Sequence, residues 1–147
     1  MSAKIIALIV AVFSGLSMAL QGSLNSVLGK VIGLLEATFI VHLVGLLVLL
    51  AGLFAFRIGK GDLLKIPQAP WYVYLGGILG VIIVYTVVYS IPRLGVAITT
   101  TAIIVGQVTT ALFIDHFGLF GLEQISFSWV KGLGLVFLAL GAKLMLS

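Results

Sequence analysis

IIALIVAVFSGLSMALQGSLNSVLG, residues 5–29, lies between Lys4 and Lys30 and holds no charged side chain over 25 residues. A helix needs about 20 such residues to cross a hydrocarbon core about 30 Å thick. Inside that core no water meets an unpaired backbone N–H or C=O, so a single crossing run must be helical. Lys4, the apolar stretch and Ser17-Met18-Ala19 also resemble a secretory signal with its cleavage site. The apolar run continues past Ala19 to Gly29, however, so the expectation is a retained first span over 5–28.

The pattern repeats along the chain. Glu36 and Arg57 bracket an uncharged run from Ala37 to Phe56, interrupted only by His42, which predicts a second span over 36–56. Arg57, Lys60, Gly61, Asp62 and Lys65, closed by Pro67 and Pro70, read as an interfacial loop. Trp71, Tyr72 and Tyr74 fit an aromatic belt at headgroup level, opening a third span over 71–91. Pro92-Arg93-Leu94-Gly95 breaks the chain, and a fourth span over 95–114 ends at Asp115. A fifth span, 129–146, crosses if Lys131 extends back to the interface. Residues 116–128 between the last two spans are too apolar for a free loop and are expected in the interface. The whole chain, 1–147, is read as one transmembrane domain.

Composition agrees with the spans. The 147 residues are 62% hydrophobic and 8% charged, against about 25% charged in soluble domains. Mean hydropathy is +1.35. These values exclude a soluble enzyme or a disordered chain. The pI of 9.6 does not indicate nucleic acid, because the eight Lys and Arg residues are scattered and form no stripe that tracks phosphates. Without cysteine there is no disulfide framework or thiolate site. No nucleophile with a base, no metal-ligand cluster and no paired acids are found, so an enzyme and a cofactor are both discounted.

The charges read instead as topology. Five spans place the termini on opposite sides of the membrane. Lys4, Arg57, Lys60, Lys65 and Lys131 share the N-terminal side, against Lys30, Arg93 and Lys143 on the other. The positive-inside rule weakly favours a cytoplasmic N-terminus, and so small a bias permits insertion both ways round.

Polar residues within spans are expensive in lipid and are functional candidates by default. Ser14, Ser17, Gln21 and Asn25 fall in a stripe about 80° wide. Such a stripe faces a partner helix or a watered cavity. His42 shares a face with Thr38, Gly45 and Gly52, and it either titrates and binds substrate or bonds a carbonyl. Glu36 lies in the first turn of its span, where it complements the helix dipole; the alternative is a proton- or cation-coupling role. Gly76 and Gly80 form a GxxxG pair that lets helices approach closely. Tyr85 and Tyr89, one turn apart on the opposite face, pack plainly or hold a cationic substrate by their ring faces. Thr99, Gly106 and Thr110 line one face of the fourth span, with the amide of Gln107 beside it. Gly134 and Gly141 make a seam on the fifth.

Gly15 and Gln21, Leu43-Val44-Gly45, Trp71 with Gly77-Ile78-Leu79-Gly80, Leu94-Gly95, Gly106-Gln107 and Asp115-His116-Phe117-Gly118 occur in an order that resembles the YdcZ-like family. That family is the five-span branch of the drug/metabolite transporter superfamily. The resemblance covers essentially the whole chain. It implies a bacterial inner-membrane protein equivalent to half of a ten-helix inverted-repeat transporter, two copies forming one transport path. The related small multidrug resistance proteins carry a membrane-embedded glutamate in their first span. Here that span has only amides and hydroxyls, so the glutamate mechanism does not transfer.

The resulting expectation is a small secondary transporter in the lipid bilayer, working by alternating access as a homodimer or with a paired homologue, in antiparallel arrangement. Its substrate is expected to be a small organic metabolite or cation held by Gln21, Asn25, His42, Tyr85, Tyr89 and Gln107, with Glu36 as the coupling candidate. Gly45, Gly76, Gly80, Gly106, Gly134 and Gly141 are the expected helix-packing positions. The alternatives are a passive dimeric channel and a non-transporting subunit packed against a partner.

Overall fold

In the computed structural model, which describes residues 3–146, the described residues are helical apart from short connections. Helix α1 spans Ala3–Ile32 and α2 spans Leu34–Leu50, continuing as one wide π turn over Ala51–Ala55. Short 3₁₀ turns at Leu63–Gln68 and Trp71–Tyr74 precede α3, Leu75–Leu94. Helix α4 covers Val96–Phe117 and α5 covers Trp129–Leu146. Among the described residues, four helical stretches are long and apolar enough to cross a membrane: Ala3–Ile32, Leu34–Ala55, Trp71–Leu94 and Val96–Phe117. The 18-residue α5 is shorter. This is an all-α membrane protein. Most large apolar side chains, Leu8, Phe13, Leu24 and Phe137 among them, are exposed, as lipid-facing residues must be.

The chain divides into two compact units, one running to Arg93 and the other starting at Leu94. In the first, a single residue joins α1 to α2. Gly33 donates its N–H to Gly29 (3.1 Å) and accepts from the N–H of Ala37 (3.0 Å), so it closes one helix and opens the next. Its φ of 103° and ψ of 159° belong to a region that glycine alone enters freely. Helices α1 and α3 meet at Gly22 and Gly29. A Cβ on Gly22 would lie 3.1 Å from both Val87 Cγ1 and Ile91 Cδ1, and one on Gly29 would lie 2.4 Å from Val88 Cγ1. Val88, Ile91, Ala37, Thr38, Asn25 and Ser26 are the buried side chains around this seam.

The second unit is held differently. After α4, residues 122–128 turn back on its C-terminal end. The N–H of Ile125 donates to Asp115 O (2.8 Å), and Gln124 Nε2 donates to His116 O (2.8 Å). The N–H of Phe127 donates to His116 Nδ1 (3.3 Å). Ser128 Oγ then accepts from Lys131 N (3.3 Å) at the start of α5. Lys131 reaches backwards, its Nζ donating to Ser126 O (3.2 Å). Two backbone N–H groups of this segment, those of Ile125 and Phe127, are thus paired with the helix end they cover, which a bilayer interface rewards.

Candidate functional site

In the first unit the polar stripe of α1 straddles the seam with α3. At 100° per residue Asn25 lies about 40° from Gly29 and 60° from Gly22, whereas Gln21 lies about 80° and 100° away. Asn25 is accordingly 7% exposed and Gln21 is exposed. Ser17 bonds the carbonyl of Phe13 (2.9 Å), so its hydroxyl is satisfied within its own helix. Among the described residues, neither the Asn25 nor the Gln21 amide has a hydrogen-bond partner.

His42 sits on α2 about 12 Å along the helix from Leu34 and is half-buried. Its Nδ1 lies 2.8 Å from Thr38 O. A carbonyl only accepts, so Nδ1 carries the proton and, in the neutral ring, Nε2 is the acceptor. Thr38 is in turn fixed, donating to Leu34 O (2.8 Å) with only 2% of its surface exposed. Nε2 faces α3 at Gly80, 3.8 Å from where a Cβ would stand. Of the expected packing glycines, Gly80 is the one that meets a neighbour.

Gly45, Gly76, Gly106, Gly134 and Gly141 have nothing within 4 Å of a built Cβ. The close helix contact lies at Gly22 and Gly29, two positions that the GxxxG spacing does not single out. Their signal in the sequence is the seven-residue interval that also includes Gly15, which keeps small residues on one side of a helix.

Glu36 lies in the first turn of α2 and is exposed. Its carboxylate folds over Gly33, where a Cβ would come within 2.3 Å of Oε2, so the negative charge lies against the positive end of the helix. An open hollow of about 600 Å³ lies beside it, lined by Ile32, Leu35, Glu36, Phe39 and Ile40.

Tyr85 is 38% and Tyr89 46% exposed. The Arg93 guanidinium stands 3.5 Å from the centre of the Tyr89 ring and donates to Tyr89 O. One ring face that a cationic substrate would use is therefore already covered by the chain's own cation.

In the second unit Gln107 is exposed. Thr101, Thr109 and Thr110 each return their hydroxyl to the carbonyl four residues earlier. Thr99 is 3% exposed and its Oγ1 has no hydrogen-bond partner among the described residues. A cavity of about 310 Å³ lies between the end of α4 and the 122–128 segment, lined by Phe113, His116, Phe117, Phe127 and Leu135, with Thr109 and Leu112. His116, Gln124 and the fold-back they hold are not legible in apolar periodicity, because side-chain bonds to backbone make them.

A comparison with curated proteins and one with solved structures each gave no match. Residues 6–144 match the family described as "Putative inner membrane exporter, YdcZ", and the chain belongs to this YdcZ family of the drug/metabolite transporter type.

Proposed function

We propose that the protein is a secondary exporter of a small organic metabolite or cation, moving it by alternating access through a dimer of antiparallel copies. The observation that carries the reading is the pair of groups Asn25 and His42. Asn25 is buried and His42 half-buried in the first unit, and each keeps a polar atom without a hydrogen-bond partner among the described residues. Such groups are costly in a membrane unless something polar meets them, and a solute in transit does so. Gln21 and Gln107, exposed on spans, and the open faces at Gly45, Gly76, Gly106, Gly134 and Gly141 supply the surface that a second copy would cover. The covered ring of Tyr89 shifts the substrate-binding expectation towards the amide and imidazole groups.

The test is counterflow of labelled small amines and neutral metabolites across proteoliposomes containing the full chain. Asn25→Leu should abolish exchange while leaving expression and helicity normal. Exchange at the wild-type rate in Asn25→Leu and Gln21→Leu together would defeat the reading of the stripe. A flux that does not accelerate with solute on the far side would point to a passive channel instead.

A further inference from the structure

We propose that His42 Nε2, not Glu36, is the proton-binding atom of the transport path. The functional consequence rests on the exporter reading above; the proton site itself does not. Three observations carry it. First, the Nδ1 contact to Thr38 O leaves Nε2 as the basic atom of the neutral ring, and Thr38 is buried and tied to Leu34, so the ring is held in that sense. Second, the facing position on α3 is Gly80, which puts no side chain over Nε2. Third, Nε2 has no hydrogen-bond partner among the described residues, although it lies about 12 Å inside its helix.

Among the described residues of α1, α2 and α3, no other titratable side chain shares the level and face of Nε2. Helix α1 has no titratable side chain between Lys4 and Lys30. On α3, Tyr85 and Tyr89 lie about 140° and 180° round the helix from Gly80. On α2 itself Glu36 is about 9 Å nearer the boundary, where its carboxylate lies beside Gly33 at the exposed helix start without a side-chain cap bond. A proton arriving at Nε2 turns an acceptor into a donor and places a positive charge in a low-dielectric span. A solute that donates a hydrogen bond to the neutral ring therefore cannot bind there while the proton does. Proton and donor solute exclude each other at one atom, and that exclusion is what couples their movements.

The experiment uses the full chain in lipid nanodiscs with ¹⁵N-labelled histidine, the His42 signals being assigned by their loss in His42→Gln. The proton is the probe. Expected is an Nδ1 signal that stays proton-bearing throughout and an Nε2 signal that gains its proton in one step as the pH is lowered. Gly80→Val, which covers Nε2, should move that step by at least about one pH unit, roughly tenfold in proton affinity. Gly80→Ala and Glu36→Gln should leave it in place. A proton on Nε2 with Nδ1 as acceptor, or the absence of any step, overturns the proposal. In counterflow, pH dependence should vanish in His42→Gln and persist in Glu36→Gln. A dependence that survives His42→Gln overturns the coupling role while leaving the exporter reading intact. A normal titration with no counterflow of any solute keeps the proton site and sinks the exporter reading.

Discussion

Helices α2 and α4 both start at a glycine in nearly the same unusual conformation, Gly33 at φ 103°, ψ 159° and Gly95 at φ 84°, ψ 162°, and neither start has a side-chain cap. The units around them are nevertheless held by different means. At Gly33 the chain is crowded: the Glu36 carboxylate lies over it, and Ala37 and Thr38 behind it are buried. At Gly95 nothing stands within 4 Å of a built Cβ, and the same is true of Gly106, Gly134 and Gly141, whereas Gly118 and Gly132 meet the returning segment at Gln124 and Phe127. The first unit is steric at Gly22 and Gly29, which admit Val87, Val88 and Ile91. The second relies on hydrogen bonds that return residues 122–128 to Asp115 and His116. In lipid the two strategies are comparably useful, because apolar burial between helices gains little there, while close packing and paired polar groups both stabilise.

The largest effect should come from forcing a side chain into the steric unit. Gly29→Leu starts from a Cβ already 2.4 Å from Val88 Cγ1, and overpacking of this kind costs about 3 kcal/mol. The matching substitution at an open position of the second unit, Gly134→Leu, should cost less than about 0.5 kcal/mol. Reversible unfolding in mixed detergent measures both. Gly29→Ala combined with Val88→Ala should recover much of what Gly29→Ala loses. If Gly29→Leu and Gly134→Leu cost the same, the contrast between the units is broken.

The next effect sharpens the contrast at the two helix starts. Alanine at Gly33 or Gly95 pays for the backbone conformation alone, about 1–3 kcal/mol. At Gly33 it must also displace Glu36, so Gly33→Ala should be the worse of the two. Because only the far end of a flexible side chain has to move, the excess should be small, and Glu36→Ala should erase it. Equal losses at both sites, unaffected by Glu36→Ala, would mean that the carboxylate contributes nothing to that joint.

What the sequence disclosed divides along the same line. The helices were legible because uncharged runs such as Ile5–Gly29 exceed the thickness of the bilayer, a constraint that acts on each segment by itself. Ends shifted by a few residues where local bonds extend a helix, as α4 does to Phe117. Candidate polar residues were legible as types, since any amide or imidazole in a span stands out. Their surroundings were not. Whether Asn25 or Gln21 enters the seam depends on a rotation of a few tens of degrees set by Gly22 and Gly29, and the partner of His42 depends on which α3 residue lacks a side chain. The fold-back through His116 and Gln124 leaves no hydrophobic period to read, because its bonds end on backbone atoms.

That fold-back gives the smallest expected effect and the most local one. His116 accepts the Phe127 N–H through Nδ1 while its own carbonyl holds Gln124. His116→Ala removes the ring acceptor but not the carbonyl, so one hydrogen bond is lost and one is kept. The net cost of a single bond is about 1 kcal/mol, which corresponds to roughly a fivefold faster exchange of the Phe127 amide with deuterium. The Ile125 amide, bonded to Asp115 O, should change less, and Gln124→Ala should act on the same segment without touching Nδ1. Amides on α1 and α3 should be unaffected by either variant, since the first unit is held by contact and not by this bond. If Phe127 exchange is unchanged in His116→Ala, the imidazole does not hold the segment, and the second unit must be retained by the Asp115 carbonyl and apolar contacts alone.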